Sequence, residues 1–230
     1  MKNNRVIISG GGTAGHIFPA ISIAEELNSS GKIYNILFVG AKKRMEMQKV
    51  PLAGYKIEGI WIDGFQRSFS IRNFMFPFKL GISLIHSFFI LLKFKPKFVV
   101  GTGGFASGPL LFAASILRIP TIIHEQNSFP GITNRLLSKF VDKICVSYDG
   151  MERYFPNKKI VKTGNPIRKY LYEKTNKIKA VEYFDLDPTK KTILIVGGSL
   201  GAEPINKVIS NKIFRFSNYQ IIWQTGKFNY

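Results

Sequence analysis

A single cysteine in 230 residues, Cys145, excludes an internal disulfide. Its setting, Lys143-Ile144-Cys145-Val146, reads as a buried strand, so the thiol is expected to be structural rather than nucleophilic. Histidine is scarce too, with three in the chain. His124-Glu125 does not open a zinc helix motif, because Ser128 stands where the second histidine would be needed, and no metal is expected. No window of 18 or more uncharged apolar residues occurs, and Met1-Lys2-Asn3-Asn4-Arg5 leads into a short apolar strand rather than a signal-peptide core. The chain is therefore expected in the cytoplasm. Acids are few, 14 against 33 Lys and Arg, for a formal charge of +19. Such a surplus suits nucleic acid, anionic lipid or phosphorylated substrates. Lys, Ile, Phe and Asn are abundant throughout, however, and the basic residues form no aromatic-interleaved stripe. Nucleic acid is not expected, and charge alone supports an anionic partner only weakly.

What is present is enough apolar residue, 45% of the chain, to bury a substantial core in one large domain or two smaller ones. Short β-branched or apolar runs recur at 6–9, 35–39, 56–61, 98–101, 121–124, 143–146, 160–162, 192–196 and 220–224, with helix-compatible stretches between many of them. Strands alternating with helices predict right-handed βαβ units and parallel sheets covered on both faces, an α/β class. Thr163-Gly164-Asn165-Pro166-Ile167-Arg168 combines a turn-former, a glycine and a proline ahead of a polar stretch, and marks a domain boundary. Residues 1–163 form the first Rossmann-like domain. Residues 164–230 form a linker and a second, incomplete unit, in which Thr192 to Gly201 repeats the strand-then-glycine-loop order of Val6 to Gly15.

Gly10-Gly11-Gly12-Thr13-Ala14-Gly15 follows a strand and precedes a helix expected over 17–27, with Pro19 in its first turn. Glycines let backbone approach a ligand, and the first amides of a helix bind an anion. A dinucleotide site also needs an acid about 20 residues on to hold the ribose. The second strand ends instead in Val39-Gly40-Ala41-Lys42-Lys43, which speaks against NAD or FAD, and no cofactor is expected. Gly101-Thr102-Gly103-Gly104-Phe105 follows another strand, with Ser107 placed to cap the next helix, and Gly197-Gly198-Ser199-Leu200-Gly201-Ala202 makes a third loop. A tight turn would explain one such loop. Three at the carboxyl ends of strands, where open α/β sheets bind ligands, point to a site.

Gly11-Gly12-Thr13-Ala14-Gly15-His16-Ile17-Phe18-Pro19-Ala20, Gly101 to Pro109, His124-Glu125-Gln126-Asn127, Thr163 to Arg168 and Gly197 to Ala202 together resemble, in order and spacing, the signature series of the MurG family. The resemblance covers essentially the whole chain. It implies two Rossmann-like domains of the GT-B type, with a lipid acceptor on the first and UDP-sugar mainly on the second. It also implies an inverting transfer of N-acetylglucosamine from UDP-N-acetylglucosamine to the 4-hydroxyl of undecaprenyl-pyrophosphoryl-N-acetylmuramyl-pentapeptide. Work of that kind belongs at the cytoplasmic face of a bacterial inner membrane, with the protein held peripherally. Two positions depart from the family: Ala14 stands where glycine is usual, and Leu200 where glutamine is common. Alanine in a left-handed backbone would cost roughly 1–2 kcal/mol. The family also continues beyond residue 230, so a truncated, inactive domain that only binds lipid or a partner is the alternative expectation.

The reaction needs a proton acceptor and a diphosphate sink. His16, at the first helix's amino terminus, is one candidate base, where the helix dipole favours a neutral ring; a hydrogen bond that merely closes the loop is its bland reading. Glu125, just past a strand end, is the rival. By the resemblance, Thr13, Ala14, Gly15, Asn127, Arg168 and Ser199 bind UDP-N-acetylglucosamine, while Gly12, Gly103 and Gly104 meet the acceptor diphosphate. Arg168 offers a guanidinium, and Ser199 with its neighbouring amides would hold the departing diphosphate without a metal. His86 is expected to pack rather than react. The segment 71–95 is apolar around most of a helix, with a polar stripe of Lys79, Ser83 and His86/Ser87. Its uncharged core, residues 80–92, is too short to span a bilayer. Flanking Arg67, Arg72, Lys79, Lys93, Lys95 and Lys97 point to an anionic membrane surface, against the alternative of a buried core helix.

Overall fold

The computed structural model describes residues 4–64, 74–168, 171, 176–198 and 201–226. They divide into two compact units, 1–172 and 173–230. In the first, seven strands form one sheet: β1 (Arg5–Ser9), β2 (Asn35–Ala41), β3 (Lys56–Ile60), β4 (Phe98–Gly101), β5 (Thr121–Glu125), β6 (Lys143–Val146) and β7 (Ile160–Lys162). Their order is β3-β2-β1-β4-β5-β6-β7, and every neighbouring pair is parallel. Parallel neighbours cannot be joined by a hairpin, so each crossover carries helix. The first five carry α1 (Ala14–Ser29), α2 (Glu46–Leu52), α3 (Phe76–Phe94), α4 (Ser107–Ile116) and α5 (Ile132–Leu137), and the last, from β6 to β7, carries two short 3-10 turns, Met151–Arg153 and Asn157–Lys159. Alternate strand residues enter opposite cores, because successive side chains point to opposite faces. Ile7, Val99, Ile123 and Ile144 pack on one side, and Val6, Ile8, Phe38 and Val100 on the other. This is the α/β architecture the alternation predicts. The strand order reverses between β1 and β4, and the two glycine loops leave the sheet at that reversal, where open sheets form a crevice.

Several local expectations change. The first helix begins at Ala14, three residues before the expected start. Pro19 therefore lies past its first turn and withholds the N–H that Gly15 O would have received. Ala14 is helical, and the left-handed residue of the loop is Gly12 at φ 83°, so alanine at 14 carries no backbone penalty. Ser107 does not cap its helix. It is the first helical residue, after Ala106, and its hydroxyl donates back to Gly104 O at 2.8 Å. Cys145 is half-buried on β6, and burial pushes its thiol up, partly offset by a hydrogen bond to Thr163, in keeping with an unreactive group.

Helix α3 differs most from expectation. It runs 19 residues, long and apolar enough to cross a membrane by length and composition alone. The polar stripe faces inward. Ser83 and Ser87 are fully buried, their hydroxyls donating to Leu80 O and Ser83 O of the same helix, while Phe78, Ile85, Phe89 and Leu92 are 55–66% exposed. A buried core helix would show the opposite. Lys79 pairs with Asp63, and His86 is half-buried with Nε2 3.2 Å from Glu58 Oε1. Arg67 and Arg72 lie outside the described residues.

The second unit contains α6 (Lys177–Tyr183), β8 (Thr192–Val196), α7 (Glu203–Asn211) and β9 (Gln220–Gln224), with β8 and β9 paired in parallel. Asn206 is the one buried residue among those described there. Its amide donates to Thr225 O at 2.7 Å, and its oxygen accepts from Trp223 Nε1 at 3.1 Å. Leu194, Val196, Val208 and Phe214 remain exposed.

Candidate functional site

The first two glycine loops are built against each other. Gly11 N–H donates to Gly103 O at 3.3 Å, and a Cβ on Gly104 would meet Gly11 O at 2.2 Å. A Cβ on Gly10 would collide with the Thr102 hydroxyl, and one on Gly103 would sit 2.8 Å from the His16 ring. Only glycine permits this approach, and Gly103 and Gly104 are left-handed at φ 95° and 89°. What holds the first loop from behind is Glu46, at the start of α2. It is fully buried, with Oε2 accepting from Gly12 N–H and Oε1 from Ala41 N–H, both at 3.0 Å. Gly12's amide is thus already committed to a carboxylate. Nothing periodic marks Glu46 in the sequence; its one signal is that it stands as a lone acid after Lys42, Lys43 and Arg44.

His16 lies on the third residue of α1, and its Nδ1 is 2.8 Å from Thr102 O. A carbonyl has no proton to give, so Nδ1 carries the hydrogen and Nε2 is the nitrogen left to accept one. Thr102 fixes the histidine twice over, because its hydroxyl also donates to His16 O at 2.7 Å. The same carbonyl of Thr102 accepts from Gln126 Nε2 at 3.0 Å, tying β5 to the loop. Thr102 and Gln126 fall inside the quoted motifs without an assigned role, since their function is to orient a neighbour.

Glu125, at the end of β5, is buried and closed. Oε1 accepts from Asn127 N–H and Nδ2, at 3.1 and 3.0 Å; Oε2 accepts from Gly131 N–H and Asn134 Nδ2, at 3.1 and 2.9 Å. Two of these bonds position Asn127, which is itself exposed, and the other two anchor the turn into α5. Next to it, His124 is buried with Nε2 2.9 Å from Gly164 O, so that nitrogen is the donor. Burial lowers the His124 pKa below its ordinary value, against smaller raising effects from Gly164 and Glu125.

These elements surround an open cleft of about 580 Å³, lined by Thr13, His16, Phe18, Asn127, Tyr148 and Asn165 among others. Ala14 and Gly15 share its wall, and the amides of Thr13, Ala14 and Gly15 are first-turn donors with no acceptor inside the helix. Arg168 reaches its edge, with the guanidinium carbon 4.3 Å from the Phe18 ring centroid. Gly12, Gly103 and Gly104 sit behind this wall rather than on it. Ser199 lies outside the described residues. Among the described residues no cluster of three or more His, Cys, Asp or Glu could hold a metal.

Comparison with known proteins agrees with this layout. Residues 6–146 match the glycosyltransferase family 28 N-terminal domain. The chain is 57% identical over 230 residues to the UDP-N-acetylglucosamine–N-acetylmuramyl-(pentapeptide) pyrophosphoryl-undecaprenol N-acetylglucosamine transferase of Flavobacterium psychrophilum, covering 99% of this chain and 63% of that protein. The protein of the same name from Christiangramia forsetii is 54% identical, over 97% and 62%. Among solved structures, MurG of Acinetobacter baumannii superposes with a TM-score of 0.73 at 29% identity, covering 98% of this chain and 62% of that one. The UDP-GlcNAc 2-epimerase of Neisseria meningitidis, at TM-score 0.62 and 17% identity, shares the fold. The chain thus spans about 63% of the length of the curated relatives it matches. With its first two glycine loops, His16 and the β5 end all inside the matched span, the chain belongs to glycosyltransferase family 28.

Proposed function

We propose that this chain is the acceptor-side portion of an inverting transferase that moves N-acetylglucosamine from UDP-N-acetylglucosamine to the 4-hydroxyl of undecaprenyl-pyrophosphoryl-N-acetylmuramyl-pentapeptide. The observation that carries the reading is the tautomer of His16: Thr102 O holds Nδ1–H, which leaves Nε2 as a lone-pair acceptor on a residue that lines the cleft. In the reaction the acceptor O4–H proton passes to Nε2 as O4 bonds the anomeric carbon. The bond from that carbon to the UDP oxygen breaks on the opposite face, its electrons leave with the diphosphate, and the configuration inverts. Glu125 is the weaker base, because all four of its hydrogen bonds are received from the protein; it acts by positioning Asn127.

The first-turn amides of Thr13, Ala14 and Gly15, with Arg168 and Asn127, supply donors and positive charge for UDP-sugar phosphates. Gly12, with its amide taken by Glu46, and Gly103 and Gly104, packed on the His16 ring and on Gly11, contribute the shape of the loops beside which the acceptor diphosphate lies. Ser199, following β8, belongs to the donor side. No metal step is needed where backbone amides and guanidinium receive the charge. The outward apolar face of α3, flanked by Lys93, Lys95 and Lys97, suits peripheral attachment to an anionic, cytoplasmic membrane face, where such an acceptor would be met.

The test is a transfer assay on a fusion in which the C-terminal part of the Flavobacterium psychrophilum relative follows residue 230. Sugar appearing on the lipid-linked acceptor with inverted anomeric configuration supports the assignment. A fusion that folds, binds UDP-N-acetylglucosamine and transfers nothing to this acceptor rejects it.

A further inference from the structure

Helices α3, α4 and α5 bound a groove of about 310 Å³ in the first unit, walled by Ile62, Phe76, Leu80, Phe105, Phe112 and Leu136. Thr133 is the one polar side chain in its lining among the described residues. It opens at Leu136 and Phe140, which are both more than half exposed, so it is a furrow reached from outside and not a sealed void. Phe105, itself exposed, lines it too. That ring lies 3.6 Å from where a Cβ of Gly12 would stand, and it fills the place a Cβ of Gly64 would take. One aromatic ring is therefore both part of the wall of a carbon-lined groove and the neighbour of the left-handed glycine in the first loop. A ligand that uses both features is a slim apolar chain joined at one end to an anion at the glycine loops.

We infer that this groove holds the first isoprene units of the acceptor's polyprenyl chain, with Phe105 at the joint between chain and diphosphate. The commitment to a prenyl chain rests on the acceptor proposed above and on continuity through Phe105; the related transferases of Flavobacterium psychrophilum and Christiangramia forsetii are named for a pyrophosphoryl-undecaprenol acceptor. In this arrangement the rest of the chain leaves past Leu136 and Phe140, beside the exposed apolar face of α3, toward the bilayer. The groove then sets how far the diphosphate stands from the membrane.

Two substitutions alter the groove without touching the core. Gly108 is helical, and a Cβ there would meet Thr133 Cγ2 at 3.5 Å, an ordinary contact, so Gly108→Leu fits locally and fills the groove. Leu136 is largely exposed, so Leu136→Glu places a charge on the wall at little cost to folding. The 230-residue chain and both variants are titrated calorimetrically with farnesyl diphosphate below its micellar concentration, inorganic pyrophosphate, and a straight-chain dodecyl diphosphate. Farnesyl diphosphate is expected to bind at least about tenfold more tightly than pyrophosphate, and both variants to remove that increment while leaving pyrophosphate affinity unchanged. Farnesyl diphosphate no tighter than pyrophosphate, or an increment that survives both substitutions, overturns the groove. Equal affinity for the dodecyl compound, equally lost in the variants, overturns the prenyl occupant in favour of any alkyl chain. A prenyl increment that meets these tests in a chain whose fusion transfers no sugar would sink the transferase reading and leave the groove standing.

Discussion

At the scale of single residues, the site rests on buried groups whose partners are backbone. Glu46 shows this most plainly: replacing it by alanine strips acceptors from Gly12 and Ala41 N–H and should cost about 3 kcal/mol in urea unfolding, with Glu46→Gln recovering part. A stability unchanged within error would mean water replaces the carboxylate. His124 gives a pH dependence of known sign. Its folded pKa lies below the ordinary value of about 6.5, so between the two values the unfolded chain binds the extra proton and stability rises with pH. The urea midpoint of the chain should therefore fall as pH drops below about 6.5, and His124→Gln, which keeps a donor for Gly164 O, should remove that part of the slope. An unchanged slope in the variant would assign the effect to other groups. Neither Glu46 nor Thr102 stands out in the sequence, because a side chain that accepts or orients backbone from a distant strand leaves no periodic mark. His16 and Glu125 did stand out, but a strand end or helix start gives only position. Which nitrogen is free, and which carboxylate is closed, depends on partners 86 and 9 residues away.

Among the elements, α3 teaches the limit of pattern reading. Hydropathy separates an apolar stripe from a polar one, yet it does not say which stripe meets the protein. Here Ser83 and Ser87 turn inward, satisfied by carbonyls of their own helix, and Phe78, Ile85, Phe89 and Leu92 turn outward. Such a face is uncommon on a surface helix unless something apolar covers it. Ile85→Glu and Phe89→Glu should change stability by no more than about 0.5 kcal/mol, since both side chains are already exposed. The same variants should abolish co-sedimentation with anionic liposomes, which in the parent chain weakens as salt rises. Equal retention of parent and variants, or equal binding to neutral vesicles, would remove α3 from the membrane contact. The strands were far more legible: short β-branched or apolar runs mark all nine positions, and β-α alternation leaves parallel pairing as the natural topology.

For the whole molecule, the distribution of buried residues divides the chain into unequal parts. Among the described residues the buried apolar core belongs to the first unit, on both faces of a seven-stranded sheet. The second pairs two strands and buries Asn206 alone among its described residues. Limited proteolysis should leave a resistant fragment ending near residue 172 and digest 173–230 first; simultaneous loss of both would show that the second unit is held more firmly than its burial implies. In the proposed transfer one imidazole, that of His16 oriented by Thr102, takes the proton. Its most direct test is single-turnover transfer by the fusion carrying His16→Ala, measured beside its dissociation constant for UDP-N-acetylglucosamine. The rate should fall by roughly 10²–10⁴-fold with donor affinity nearly unchanged; a variant that transfers sugar at the parent's rate would remove His16 from the proton transfer.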